Sequence, residues 1–378
     1  MYNFATHLNS LNQIDITSPT LTFGIIFTII LILIGITCKN NNNSFFDTQT
    51  TASLRGVAVL FLIFGHFSYV CLKQKMVFHL GGYWAVIIFL FISGYGLYQR
   101  YKLNHTGGSF WKKRISKLYP PLWITLVLFI FLNYFLLNVS YPLHEILLNM
   151  SGITLNELPI NPPTWFVEYI MVQYLIYWLI SKLPFSNIVK LVGLFVICFC
   201  IAILVCIPTI NYLWWTPYTV AFPVGVLFGK YQKQIRAFIT EYLKNQFFLL
   251  IPLIILLVIF LYWDDFLPDI FYLRTIKPLA LIIPIILTLI IYERINLQST
   301  FLILLGNYSY EIYLLHVPFM TNYDYFLFRE PLYIFFFAYF VSLLILSYIL
   351  SKTSILINNN LLILGIAKIT NKISKRKK

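Results

Sequence analysis

The apolar residues of this chain come in long unbroken runs, mostly about 15 to 20 residues each, and a helix of that length crosses the ~30 Å hydrocarbon core of a bilayer. Runs of this kind leave one class of fold open. Only 11% of the chain is charged against 60% hydrophobic, whereas a soluble protein of this size carries roughly a quarter charged residues on its surface. The expected fold is all-α, a polytopic transmembrane helical bundle of about 10-11 spans.

Reading the runs against their breaks gives eleven spans, near Thr20 to Cys38, Val57 to Cys71, Gly81 to Tyr98, Pro121 to Val139, Trp165 to Ile180, Leu191 to Ile207, Leu213 to Phe228, Phe247 to Trp263, Pro278 to Tyr292, Phe301 to Phe319 and Leu332 to Leu350. Cytoplasmic loops collect Lys and Arg. With the C-terminal tail inside, one face keeps only Lys73, Lys75, Arg274, Lys277 and Arg329, so 22 of the 27 basic residues share the inner face. The expected topology is therefore N-terminus outside and C-terminus cytoplasmic, in the cell membrane. The first run lacks a basic n-region and starts only near Thr20, so it reads as a retained span and not as a cleaved signal.

Other classes recede on the same grounds. A net charge of +14 would suggest nucleic acid in a soluble chain, but here the cations sit between apolar runs and orient helices. The five cysteines, Cys38, Cys71, Cys198, Cys200 and Cys206, lie in or beside apolar runs and give no disulfide framework. No C-x-x-C, H-E-x-x-H or phosphate-loop pattern appears, so neither a metal site nor nucleotide hydrolysis is indicated. Residues 1-53 read as an extra span with a polar linker, 54-352 as the membrane domain and 353-378 as a basic cytoplasmic tail.

Ionisable residues at bilayer depth are expensive and mark function by default. In the second span, ten apolar or glycine residues separate Arg55 from His66. Eleven helical steps bring the two within ~20° of one face and about 16 Å apart along the axis. A cation at the cytosolic mouth can then hold an anionic group while an imidazole deeper in takes and releases a proton near neutrality. Taken singly, Arg55 also reads as a snorkelling positive-inside residue, and His66 as a packing hydrogen bond.

The pair has company. Phe89-Leu90-Phe91-Ile92-Ser93-Gly94-Tyr95 follows it, then a basic inner loop Lys113-Arg114-Ile115-Ser116-Lys117-Leu118-Tyr119-Pro120, then Trp165-Phe166-Val167-Glu168-Tyr169, and finally the run from Gly306 to His316, Gly-x-x-Ser-Tyr-x-x-Tyr-Leu-x-His. In this order they resemble the acyltransferase 3 family of integral-membrane acyltransferases, over roughly Leu54 to Leu350. The resemblance implies transfer of an acyl group, usually acetyl from cytosolic acetyl-CoA, to a hydroxyl of a cell-surface sugar or glycolipid, with no metal. It carries Arg55 and His66 over as essential residues and Arg114 and Lys117 as the basic inner pair. Lys117 departs from the common Arg-x-x-Arg and loses the bidentate fork of a guanidinium. The expected form is the standalone membrane one, without the soluble hydrolase-like domain that some relatives have after the last span.

Two further groups fit this chemistry. Glu168 is the one residue between Trp165 and Ile180 charged at neutral pH, placed to orient the His66 imidazole or to meet outer water. Ser309 and His316, seven residues apart, share a helix face and read as acceptor-side residues. The expected partners are acetyl-CoA, a carbohydrate or glycolipid acceptor and the lipid bilayer, with no nucleic acid. The competing reading is a polytopic transporter or flippase for a surface-polysaccharide precursor, for which Pro217, Pro223 and Gly225 would mark an interrupted helix.

Overall fold

The computed structural model describes residues 19–38, 46–71, 81–104, 107, 109–154, 159–205, 218–243, 285–290, 298–327 and 329–376, with the backbone alone beyond 359. The described residues form helices and no strand; Cys38 and Ser299 make one isolated bridge. In chain order the helices are α1 (Pro19–Ile36), α2 (Thr48–Cys71), α3 (Gly81–Tyr101), α4 (Ser109–Leu137), α5 (Leu143–Ser151), α6 (Thr164–Lys182), α7 (Asn187–Val205), α8 (Ala221–Phe238), α9 (Thr300–Asn307), α10 (Ser309–Met320) and α11 (Leu332–Arg376). Among the described residues, five stretches are long and apolar enough to cross a membrane: Thr48–Ser68, Gly81–Tyr101, Ser109–Leu137, Asn187–Leu204 and Leu332–Asn359. The chain is an all-α, multi-pass membrane bundle. The eighth span, Phe247 to Trp263, lies outside the described residues, and of the ninth only 285–290 is described, as helix.

The described chain divides into two compact units, one from 107–168 and 310–376, the other from 19–106 and 169–309. The second is built on α2, α3, α8 and α9. Helices α2 and α3 run antiparallel: Phe61 stacks on Trp84 at 4.9 Å, and Gly65 meets Gly81 and Gly82. Helix α8 runs parallel to α3, with Tyr83 stacked on Tyr218 at one end and Gln99 Nε2 donating to Gln232 Oε1 (3.0 Å) at the other. Helix α9 follows the direction of α2: Gln298 Nε2, just ahead of α9, donates to Thr50 Oγ1 (2.8 Å), and Gly306 near its end lies against Ala52 and Gly56.

Glycine makes these crossings possible. A Cβ on Gly225 would fall on the Phe91 carbonyl, and one on Gly94 on the Phe222 carbonyl; small residues let backbones approach this closely where apolar burial gives no drive between helices. Pro223 occupies the first turn of α8, where no intrahelical N–H bond is required. The two described interruptions of the seventh run are thus a helix start and a packing contact, and they lend the transport reading no support. Pro217 lies outside the described residues. On α7, Ile188, Val192 and Val196 are exposed at every fourth position while Leu191, Leu194, Cys198 and Ala202 are buried on the other side, as a lipid-facing stripe requires.

Two elements depart from the sequence reading. The basic segment 113–120, read as a loop, is the start of α4, which begins at Ser109, twelve residues ahead of the expected Pro121. Pro120 and Pro121 then sit inside the helix and deprive the carbonyls four residues earlier of their partners. One of these, Ser116 O, instead accepts from Asn358 Nδ2 of α11 at 2.7 Å. The tenth run divides into α9 and α10 at Tyr308, whose φ of −104° and ψ of 14° leave the helical region.

Candidate active site

The α2 helix starts where Asp47 Oδ1 accepts from Thr50 N at 2.7 Å, a side-chain cap on otherwise orphaned amides. It then runs unbroken through both Arg55 and His66, so the register read from the sequence is realised in the backbone. Arg55 is half-buried, and its Nε is buried with no hydrogen-bond partner among the described residues. His66 is half-buried, with Nδ1 3.0 Å from Leu62 O. A carbonyl can only accept, so this bond places the proton on Nδ1 and makes Nε2 the basic nitrogen of the neutral ring. Gly82 borders the imidazole: a Cβ there would stand 3.2 Å from His66 Cε1.

The segment Phe89 to Tyr95 supports this helix from α3. Ser93 Oγ lies 2.8 Å from Tyr174 Oη, Gly94 admits α8, and Tyr95 Oη donates to Phe46 O at 2.8 Å. Phe46, two residues ahead of α2, has φ of 61° and packs its ring at 4.9 to 5.9 Å from Phe228, Tyr95 and Phe91. A non-glycine residue in the left-handed region is uncommon, and here the aromatic seat holds it. The linker read as polar therefore ends in a buried anchor. Ser309, which closes this unit at the head of α10, is buried.

In the other unit the Arg114 guanidinium lies 4.5 Å from the centre of the buried Phe110 ring, a cation–π contact that keeps it half-buried, whereas Lys117 is exposed. The two are three residues apart on α4 and share its N-terminal turns. Glu168 Oε2 accepts from Thr154 Oγ1 (2.6 Å) and Thr154 N (3.2 Å), so the carboxylate fastens the segment after α5 to α6. His316 is 1% exposed; its Nδ1 donates to Tyr313 O at 2.7 Å, and its carbonyl accepts from Tyr339 Oη at 2.9 Å. Asn161 Nδ2 donates to Leu314 O (3.0 Å), and Phe166 packs on Tyr313 at 5.1 Å, so the start of α6 and α10 meet beside His316.

Reasoning from sequence overlooked Gly82, Tyr310 and Asn358. The Gly81-Gly82 pair opening α3 was the signal for the first. For Asn358 it was Pro120, which leaves the Ser116 carbonyl in need of an outside donor; the bond of Tyr310 to the Leu118 carbonyl has no such signal.

A polytopic helical bundle with a cation and an imidazole in register on one helix defines a membrane enzyme candidate. The acyltransferase 3 family model, described as an acyltransferase domain, matches residues 52–352, and the chain belongs to this family. No curated protein and no solved structure matches it.

Proposed function

We propose that the protein moves an acetyl group from cytosolic acetyl-CoA to a hydroxyl of an extracytoplasmic sugar or glycolipid of the cell surface. The observation that carries this reading is α2 itself: Arg55 with a buried Nε that has no partner among the described residues and, about 16 Å further along the axis, His66 with its proton held on Nδ1 by Leu62 O. That separation is about half of a ~30 Å hydrocarbon core. A guanidinium N–H without an acceptor among the described residues is suited to a phosphate oxygen of coenzyme A. The N-terminal turns of α4, in the other unit, carry Lys112, Lys113, Arg114 and Lys117 with no acid in the first turn. Cations at a helix N-terminus oppose the macrodipole by roughly 0.3–1 kcal/mol each, and a bound anion reverses that balance.

In this reading His66 Nε2 takes the proton of the acceptor hydroxyl as its oxygen attacks the thioester carbonyl. A C–O bond forms, the C–S bond breaks, and the imidazolium returns the proton to the departing coenzyme A thiolate. Glu168 holds the outer segment around Thr154, and His316 and Ser309 shape the acceptor side. The test is thiol release from acetyl-CoA by the full chain in detergent with candidate sugars. His66→Ala should reduce transfer by about 10²–10⁴-fold with unchanged expression and thermal unfolding; undiminished transfer would remove His66 from the chemistry. Absence of any acetyl-CoA consumption by the wild-type chain, across the sugars tried, would count against the whole reading.

A further inference from the structure

The basic turn of α4 is held from two other helices. Its carbonyl at Ser116, freed by Pro120, accepts from Asn358 Nδ2 of α11 at 2.7 Å. The carbonyl of Leu118 accepts from Tyr310 Oη of α10 at 2.7 Å. Between these two contacts lies Lys117, and the neighbouring residue of Tyr310, the half-buried Glu311, lies within electrostatic reach of Lys117. Three helices thus converge on residues 116 to 118.

This convergence meets a mechanical need. The turns ahead of Pro120 lack the amide donors that tie one helical turn to the next, so they form the weakest joint in α4. They also gather Lys112, Lys113, Arg114 and Lys117, cations that repel one another at a helix end already carrying partial positive charge. Left to itself, such a turn would fray. The clamp provides donors for two of its carbonyls and brings Glu311 within electrostatic reach of Lys117.

We infer that Tyr310, Glu311 and Asn358 are positioning residues for the donor site, holding the α4 basic turn in the geometry that receives the anionic part of the acyl donor. The inference rests on the donor reading proposed above. The late Ser-Tyr-Glu segment then serves two sides, with Tyr310 and Glu311 turned to the basic turn and His316 further along α10.

The experiment titrates coenzyme A into the full chain in detergent by calorimetry and compares Glu311→Gln, Glu311→Asp, Tyr310→Phe and Asn358→Ala, with Arg114→Ala as the reference for the donor site. Glu311→Gln should weaken coenzyme A binding about fivefold, equivalent to ~1 kcal/mol for a partly exposed charge pair, and Glu311→Asp should recover most of it. Tyr310→Phe and Asn358→Ala should each weaken binding severalfold with thermal unfolding little changed, and they carry the test should Glu311→Gln fail to fold. Unchanged binding in all of these while Arg114→Ala weakens it would overturn the clamp and leave the donor reading standing. Unchanged binding in Arg114→Ala as well would remove the donor site from this turn altogether.

Discussion

At the scale of single residues, the decisive fact is a tautomer. Free imidazole exchanges its proton between two nitrogens, but a carbonyl 3.0 Å from Nδ1 fixes it there and points the base through Nε2. Gly82 keeps that ring in place by having no side chain. Gly82→Ala would bring a methyl to 3.2 Å from Cε1, tighter than ordinary contact, and tilt the imidazole. The expected result is a loss of about tenfold in kcat with coenzyme A affinity unchanged, and a change in the ¹⁵N spectrum of His66. Unchanged kcat and spectrum would mean that the ring does not depend on this neighbour. In the proposed reading Arg55 serves the other half of the reaction: Arg55→Ala should weaken coenzyme A binding about tenfold or more, and binding at wild-type strength would end that docking proposal.

At the scale of helices, the bundle of α2, α3, α8 and α9 is organised by glycine. Gly225 sits where a Cβ would meet the Phe91 carbonyl, whereas Gly96, on the same α3 helix as Phe91, has nothing within 4 Å of its Cβ position and is exposed. Gly225→Ala should therefore destabilise the chain by about 1–3 kcal/mol through forced separation of α3 and α8. Gly96→Ala should stabilise it by roughly 0.5–1 kcal/mol through helix entropy. Thermal unfolding in detergent reads both, and an equal response would mean that the crossing is looser than the backbone indicates. The existence of these helices was legible in their apolar length, and α2 was legible down to its register, because one periodic segment fixes its own geometry. The start of α4 was not. Charges and a proline pair read as a loop, and only the partners supplied by Asn358 and Tyr310 show why they are helical. The break at Tyr308 was equally hidden, since apolar residues continue across it on both sides.

For the molecule as a whole, the residues expected to act together were legible as motifs but not as contacts. Glu168 illustrates the limit: its type and place suggested a partner for an imidazole, while its observed partner is Thr154, fourteen residues earlier. No pattern in the intervening segment announces that bond. The donor reading has a consequence of its own for sidedness. In vesicles of uniform orientation, impermeant acetyl-CoA should support transfer only from the face that bears the start of α4, with the acylated product on the opposite face. Equal use of donor from both faces would contradict a vectorial reaction.

The left-handed Phe46 matters beyond its own seat. The matched family domain begins at residue 52, and a protein engineer trimming the chain to that boundary would discard Phe46 and Asp47 together with α1, whose end is tied to Ser299 by a 2.5 Å hydroxyl contact from Thr37. The trimmed protein would keep every motif by which its relatives are recognised and would lose the plug and the cap that start α2. A boundary drawn from shared sequence and the boundary of a self-sufficient fold are, in this chain, different places.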